Sequence, residues 1–221
     1  MISDFLSEFG DLLSQGVIDT LVMVFLSTAI AYAVGIAIGV VLHLTAPGSL
    51  RPKPVFNAVL GWVVNIGRSL PFIILLVALM PVSTAVAGTS TGVRGVILPL
   101  VVSASPFIAR MVEQSLAEVS HEAVEAAEAC GASLPRIVFS ALLPEALPSI
   151  VRGVAVSLIA VLGYTAIAGA VGAGGLGDIA IRYGYYRYQN DVMFVTVILL
   201  IVLVQIIQGM CNLIARKVDH R

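Results

Sequence analysis

Two stretches of this chain, residues 21–43 and 192–214, run without a single Asp, Glu, Lys or Arg. Crossing ~30 Å of hydrocarbon takes about 20 mostly apolar residues in a helix, and nothing but a membrane or a large core accommodates such runs. Composition excludes the large core. Hydrophobic residues make up 59% of the 221, and charged residues only 11%, against about 25% charged in a soluble domain. The chain is therefore read as an all-α membrane protein. With no unpaired backbone tolerated in lipid, its crossings are expected to be helices.

Five transmembrane helices are expected, at about 21–43, 55–80, 93–112, 149–171 and 192–214, in a single domain covering residues 1–221. The second carries Arg68 in its interior, and the third is interrupted by Pro99 and Pro106. Ala33, Gly35, Ala37 and Gly39 in the first span, and Gly153, Ala155 and Gly163 in the fourth, let helix backbones approach closely. In lipid such approach is the main route to association. These two spans are expected inside the protein, and the aliphatic fifth is expected to face lipid.

Basic residues set the orientation, because cytoplasmic loops carry the excess of Lys and Arg. Arg51, Lys53, Arg110, Arg136, Arg152, Arg216, Lys217 and Arg221 fall on one side, and only Arg94, Arg182 and Arg187 on the other. The first side is expected in the cytoplasm, with the N-terminus outside and the C-terminus inside. The first twenty residues hold Asp4, Glu8, Asp11 and Asp19 but no Lys or Arg, so no secretory leader is expected. A formal net charge of −1 gives no reason to expect a nucleic-acid partner. Cys130 and Cys211 lack metal-ligand spacing, and His43, His121 and His220 match no metal motif. No nucleophilic constellation is visible, so the chain is expected not to be an enzyme.

One substantial cytoplasmic loop, about residues 118–145, joins the third and fourth spans. Its Glu- and Ala-rich start favours helix. Gly131 suits the position just past a helix end, and Pro135 suits the first turn of the next helix. That second helix is expected to stop at Pro144. Glu118, Glu122 and Glu125 share one face, and Ala123, Ala126, Ala127 and Cys130 another. Two short helices joined by a glycine make a compact protrusion whose small-residue face can dock on a partner.

The run Glu125-Ala126-Ala127, three residues, Gly131, then Leu143-Pro144 resembles the EAA loop of importer-type ABC permeases. Ala141 stands where that pattern usually has Ile. The resemblance implies an importer-type ABC permease fold and makes His121, Glu122, Glu125, Ala126, Ala127, Gly131, Ala132, Leu143 and Pro144 the coupling site for an ATPase subunit. Residues 64–74, 169–178 and 181–185 resemble methionine importer permeases in particular. That resemblance implies methionine import by alternating access in a bacterial cytoplasmic membrane. Another small amino acid or related solute, or a stand-alone carrier or channel, is the alternative.

The implied partners are two ATPase subunits, a second copy of the chain, an external methionine-binding protein and the lipid bilayer. The chain has no Gly-x4-Gly-Lys-Ser/Thr loop and not even a Gly-Lys dipeptide, so it lacks a P-loop. No cofactor is expected in this chain; ATP and Mg belong to the partner subunit.

Candidate pathway or gate residues are Asn65, Arg68, Ser69, Pro71 and Tyr164. A charge at mid-membrane costs at least ~2.5 kcal/mol, so Arg68 must face protein or water. It attracts a substrate carboxylate or holds a gate on one reading, and locks the helices structurally on the other. Gly174, Gly175, Gly177 and Asp178 form an outer glycine turn, read as a tight re-entrant or gating turn, with docking of the binding protein as the second possibility.

Overall fold

The computed structural model describes residues 2–218, and every regular element among them is helical. His220 and Arg221 lie outside the described residues. The first helix, α1, spans Ile2–Thr45, beginning far ahead of the expected span because nothing in the acidic N-terminal segment breaks a helix. Helix α2 (Pro54–Ser69) and helix α3 (Phe72–Ala87) follow. Helix α4 (Gly92–Ala117) leads to the short α5 (His121–Ala129) and α6 (Leu134–Ile137). A π-helical turn, Val138–Leu142, runs straight into α7 (Leu143–Ala168). After a 3-10 turn come α8 (Gly175–Ile179), a second π-helical turn, and α9 (Asn190–Val218).

Among the described residues four helical stretches are long and apolar enough to cross a membrane, and the broken α2–α3 pair makes a fifth if it counts as one span. Where the sequence suggested one continuous crossing from 55 to 80, the helix is interrupted at Leu70–Pro71. Pro71 is extended, with φ −58° and ψ 130°, and a residue preceding proline is itself steered away from helix.

Pro99 and Pro106 have the opposite fate, since α4 continues through both. Val96, Leu100, Ala104, Ile108, Val112 and Leu116 form a fully buried stripe along it at i, i+4 spacing. Packing along this stripe holds the helix where proline alone would weaken it. The apolar stretch of α4 is 56% buried and that of α9 only 17%, so within this chain α4 is well covered and α9 largely exposed.

Pro144 does not end a helix either. The π turn places the Leu143 N–H on the Val138 carbonyl, one residue further back than an α-helix would. Pro144 therefore lies inside a helical run that continues from Leu134 through the π turn into α7.

Contacts divide the chain into two units. One comprises residues 1–30, 70–104 and 157–209; the other comprises 31–69, 105–156 and 210–221. In the first unit the glycine turn packs on α1. Thr20 Oγ1 accepts a hydrogen bond from the Leu176 N–H at 2.9 Å, and the Gly92 N–H donates to the Gly172 carbonyl at 2.9 Å. In the second, α1 meets α4 through glycine: a Cβ at Gly39 would stand 2.7 Å from the Ala109 carbonyl oxygen. The loop after α1 is tied back by Asn57, whose Nδ2 donates to the Leu42 carbonyl at 2.7 Å and to Thr45 Oγ1 at 3.0 Å.

Candidate functional site

The EAA segment folds as its local chemistry dictates. Helix α5 ends in a Schellman motif. Gly131 takes φ +73°, its N–H donates to the Glu128 carbonyl at 2.8 Å, and the Ala132 N–H donates to the Ala127 carbonyl at 3.1 Å. Pro135 occupies the first turn of α6. Val124, Ile137, Val138 and Leu142 are buried and give the two short helices a small apolar base. His121, Glu122, Glu125, Ala126, Gly131 and Pro144 are exposed, while Ala127, Ala132 and Leu143 are half-buried. The His121 Nε2 and Glu125 Oε1 atoms lie 3.4 Å apart on the outer face. A groove of about 620 Å³ runs beside α5, lined by His43, Pro47, Leu50, His121, Val124 and Glu128 among others.

The candidate pathway residues divide between the two units. Asn65, Arg68 and Ser69 belong to the second, and Pro71 and Tyr164 to the first. Arg68 stands in the last turn of α2, exposed, and its guanidinium makes no hydrogen bond or ion pair with another described residue. Ser69 Oγ donates to the Asn65 carbonyl at 2.8 Å. Tyr164 is half-buried, and its ring stacks on Phe72 with centroids 4.8 Å apart and planes at 18°.

Sequence reasoning missed Arg110, which it used only as a positive charge. On α4, its Nη2 donates to the Gly61 carbonyl at 3.0 Å and to Asn65 Oδ1 at 3.1 Å, and its Nη1 donates to Glu113 Oε2 at 2.7 Å. Glu113 three residues on was the available signal.

The glycine turn is built by positive φ and by close approach. Gly172, Gly174 and Gly175 have φ of +76°, +79° and +75°. Gly177 does not, but a Cβ there would stand 2.6 Å from the Ala166 backbone. Asp178 pairs with Arg182 at 2.8 Å. Arg182 and Arg187 both lie over the Tyr183 ring, at 5.2 and 4.5 Å from its centre, in a cation–π arrangement. Among the described residues no group of three or more His, Cys, Asp or Glu is placed to hold a metal ion.

Multiple membrane-crossing helices and one exposed, rigidly capped helix pair define the class: a multi-pass transport permease. The chain belongs to the family of binding-protein-dependent transport system inner membrane components, whose profile matches residues 31–220. It is 48% identical over 212 residues to the "Probable D-methionine transport system permease protein MetI" of Vibrio cholerae, covering 96% of this chain and 94% of that one. To the methionine import system permease protein MetP of Bacillus subtilis it is 42% identical over 180 residues, 81% of each chain. A solved structure of the MetNI methionine ABC transporter, in an inward-facing conformation, superposes with a TM-score of 0.94 at 44% identity. That match covers 96% of this chain and 99% of the other. An amino acid ABC transporter with 17% identity shares the fold, at a TM-score of 0.78.

Proposed function

We propose that this chain is the membrane-spanning subunit of an ATP-driven importer and carries methionine inward by alternating access. The observation that carries the reading is the α5–Gly131–α6 unit. It is an exposed helix pair closed by a Schellman turn and seated on Val124, Ile137 and Leu142. Such a pair is stiff enough to transmit a displacement. Support for methionine comes from the two relatives described above, both named as methionine permeases.

In this reading α5 and α6 lie in the cytoplasm and insert into an ATPase subunit, which supplies the ATP and Mg²⁺ site. Two copies of the chain and two ATPase subunits make the transporter, and an external binding protein delivers substrate to the side bearing the glycine turn. The N-terminus is outside and the C-terminus inside. Closure of the ATPase pair moves both helix pairs and switches the opening of the pathway. The transport states must therefore differ in affinity for the nucleotide-bound partner. Arg68, exposed and without an ion pair among the described residues, offers a cation to the substrate carboxylate.

Reconstitution tests this. Vesicles holding the chain with its ATPase subunit and binding protein take up labelled methionine only with ATP on the ATPase side, and Gly131→Asp abolishes that uptake in an assembled complex. Uptake by the chain alone overturns the reading in favour of a stand-alone carrier. Saturable uptake of another amino acid with methionine inert replaces the substrate but keeps the importer.

A further inference from the structure

The contact between α2 and α4, inside the second unit, depends on one charged side chain that the transport reading leaves unused. Arg110 reaches from α4 to a backbone carbonyl in the middle of α2, that of Gly61, at 3.0 Å. The helix ladder already uses that carbonyl. Glycine leaves the approach open: a Cβ at Gly61 would stand 3.0 Å from Nη2 and crowd the guanidinium. The same Nη2 holds Asn65 Oδ1 at 3.1 Å, and Glu113 fixes Nη1 at 2.7 Å. Between these points Val64 is buried, and further along α2 a Cβ at Gly67 would stand 2.8 Å from Pro106 Cγ. The contact is therefore close, narrow and polar at one end. Arg110 Nε is buried with no hydrogen-bond partner among the described residues, so the guanidinium is held by its two Nη groups alone.

Other neighbours of α4 lie close to the coupling helices. Ser115 Oγ and Ser149 Oγ are 3.1 Å apart, joining α4 to α7. Leu116 and Ala117 line the groove whose other wall includes His121, Val124 and Glu128 of α5. All of these residues belong to one unit.

We infer that Arg110 is a positioning residue, a clamp that makes α2 travel with α4 when the coupling helices are displaced, so that Asn65, Arg68 and Ser69 follow the ATP cycle. The inference rests on the importer reading above. A fork-shaped guanidinium makes the contact, and an ammonium cannot reproduce it. Arg110→Lys therefore keeps the charge and loses the clamp, while Gly61→Ala crowds the guanidinium and displaces it by a few tenths of an ångström.

The test uses the full complex in proteoliposomes, with ATP hydrolysis and methionine uptake measured on the same vesicles and thermal midpoints measured alongside. The expected result for Arg110→Lys is ATP hydrolysis near wild type with uptake per ATP reduced about tenfold, a loss in the range of energetic coupling between sites. Gly61→Ala shows the same signature more weakly, and the double variant is no worse than Arg110→Lys alone, because both break one contact. A merely structural role lowers the thermal midpoint and leaves uptake per ATP unchanged. Unchanged uptake per ATP in Arg110→Lys overturns the clamp; should that variant fail to assemble, unchanged uptake per ATP in Gly61→Ala overturns it. If the clamp falls while Gly131→Asp still abolishes uptake, the importer reading stands. If Gly131→Asp transports normally in an assembled complex, it is the importer reading that fails.

Discussion

At Gly177 there is no room for a methyl group, whereas at Gly163 there is. A Cβ on Gly177 would stand 2.6 Å from both the Cα and the carbonyl oxygen of Ala166, whereas nothing lies within 4 Å of one on Gly163. Backbone cannot step aside as a flexible side chain can. Gly177→Ala is therefore expected to destabilise the protein by about 1–3 kcal/mol, read as a lower thermal midpoint in detergent. Gly163→Ala, inside α7, is expected to be neutral or to stabilise by up to about 1 kcal/mol from helix propensity. Equal midpoints for the two variants would refute the close packing of α8. Thr20 supports the same turn by another means: its buried hydroxyl accepts the Leu176 N–H. Thr20→Val leaves that N–H without a partner and is expected to cost about 1–3 kcal/mol, and Thr20→Ser to restore most of it. The thermal midpoints of the pair decide whether the hydroxyl or the methyl of Thr20 matters.

Helix α5 owes its end to Gly131, and the consequence is local. A side chain at φ +73° costs roughly 1–2 kcal/mol, set against a nine-residue helix too short to hold itself together in water. Gly131→Ala is expected to raise amide exchange across residues 126–132 while leaving the long helices protected, and to slow ATP-driven uptake without lowering the thermal midpoint. Protection unchanged in α5 would show that partner contacts, not the cap, order it. This element was legible in the sequence because its signals are local: Glu and Ala for helix, Gly131 for the stop, Pro135 for the restart. The prolines elsewhere were not. Pro71 breaks the helix between α2 and α3, yet Pro99, Pro106 and Pro144 sit within continuing helix. Burial decides for α4 and a π turn decides for α7, and neither is written in a residue's immediate neighbours. Arg110 was illegible for a related reason. Two of its partners, Asn65 and Gly61, lie 45 and 49 residues away, so only Glu113 could have hinted at it.

Sidedness is a property of the whole chain, and the protein carries its own reporter. Cys130 is exposed and Cys211 is buried; only the thiol at the end of α5 is open to reagents. The proposed orientation, argued from the count of basic residues, puts that thiol in the cytoplasm. A membrane-impermeant maleimide is therefore expected to label the protein in inverted membrane vesicles and not in intact spheroplasts, and Cys130→Ser is expected to abolish the labelling. Assembly with the ATPase subunit should then slow the reaction, because Cys130 adjoins the face that would dock. Exposure and position make three outcomes separable. Labelling from inside that is slowed by the ATPase supports both the orientation and the docking face. Labelling from inside at an unchanged rate keeps the orientation and moves the docking face away from the end of α5. Labelling in spheroplasts puts α5 beyond the reach of any cytoplasmic ATPase, and an exposed, rigidly capped helix pair on the outside could then transmit nothing from ATP, whatever the similarity of the fold.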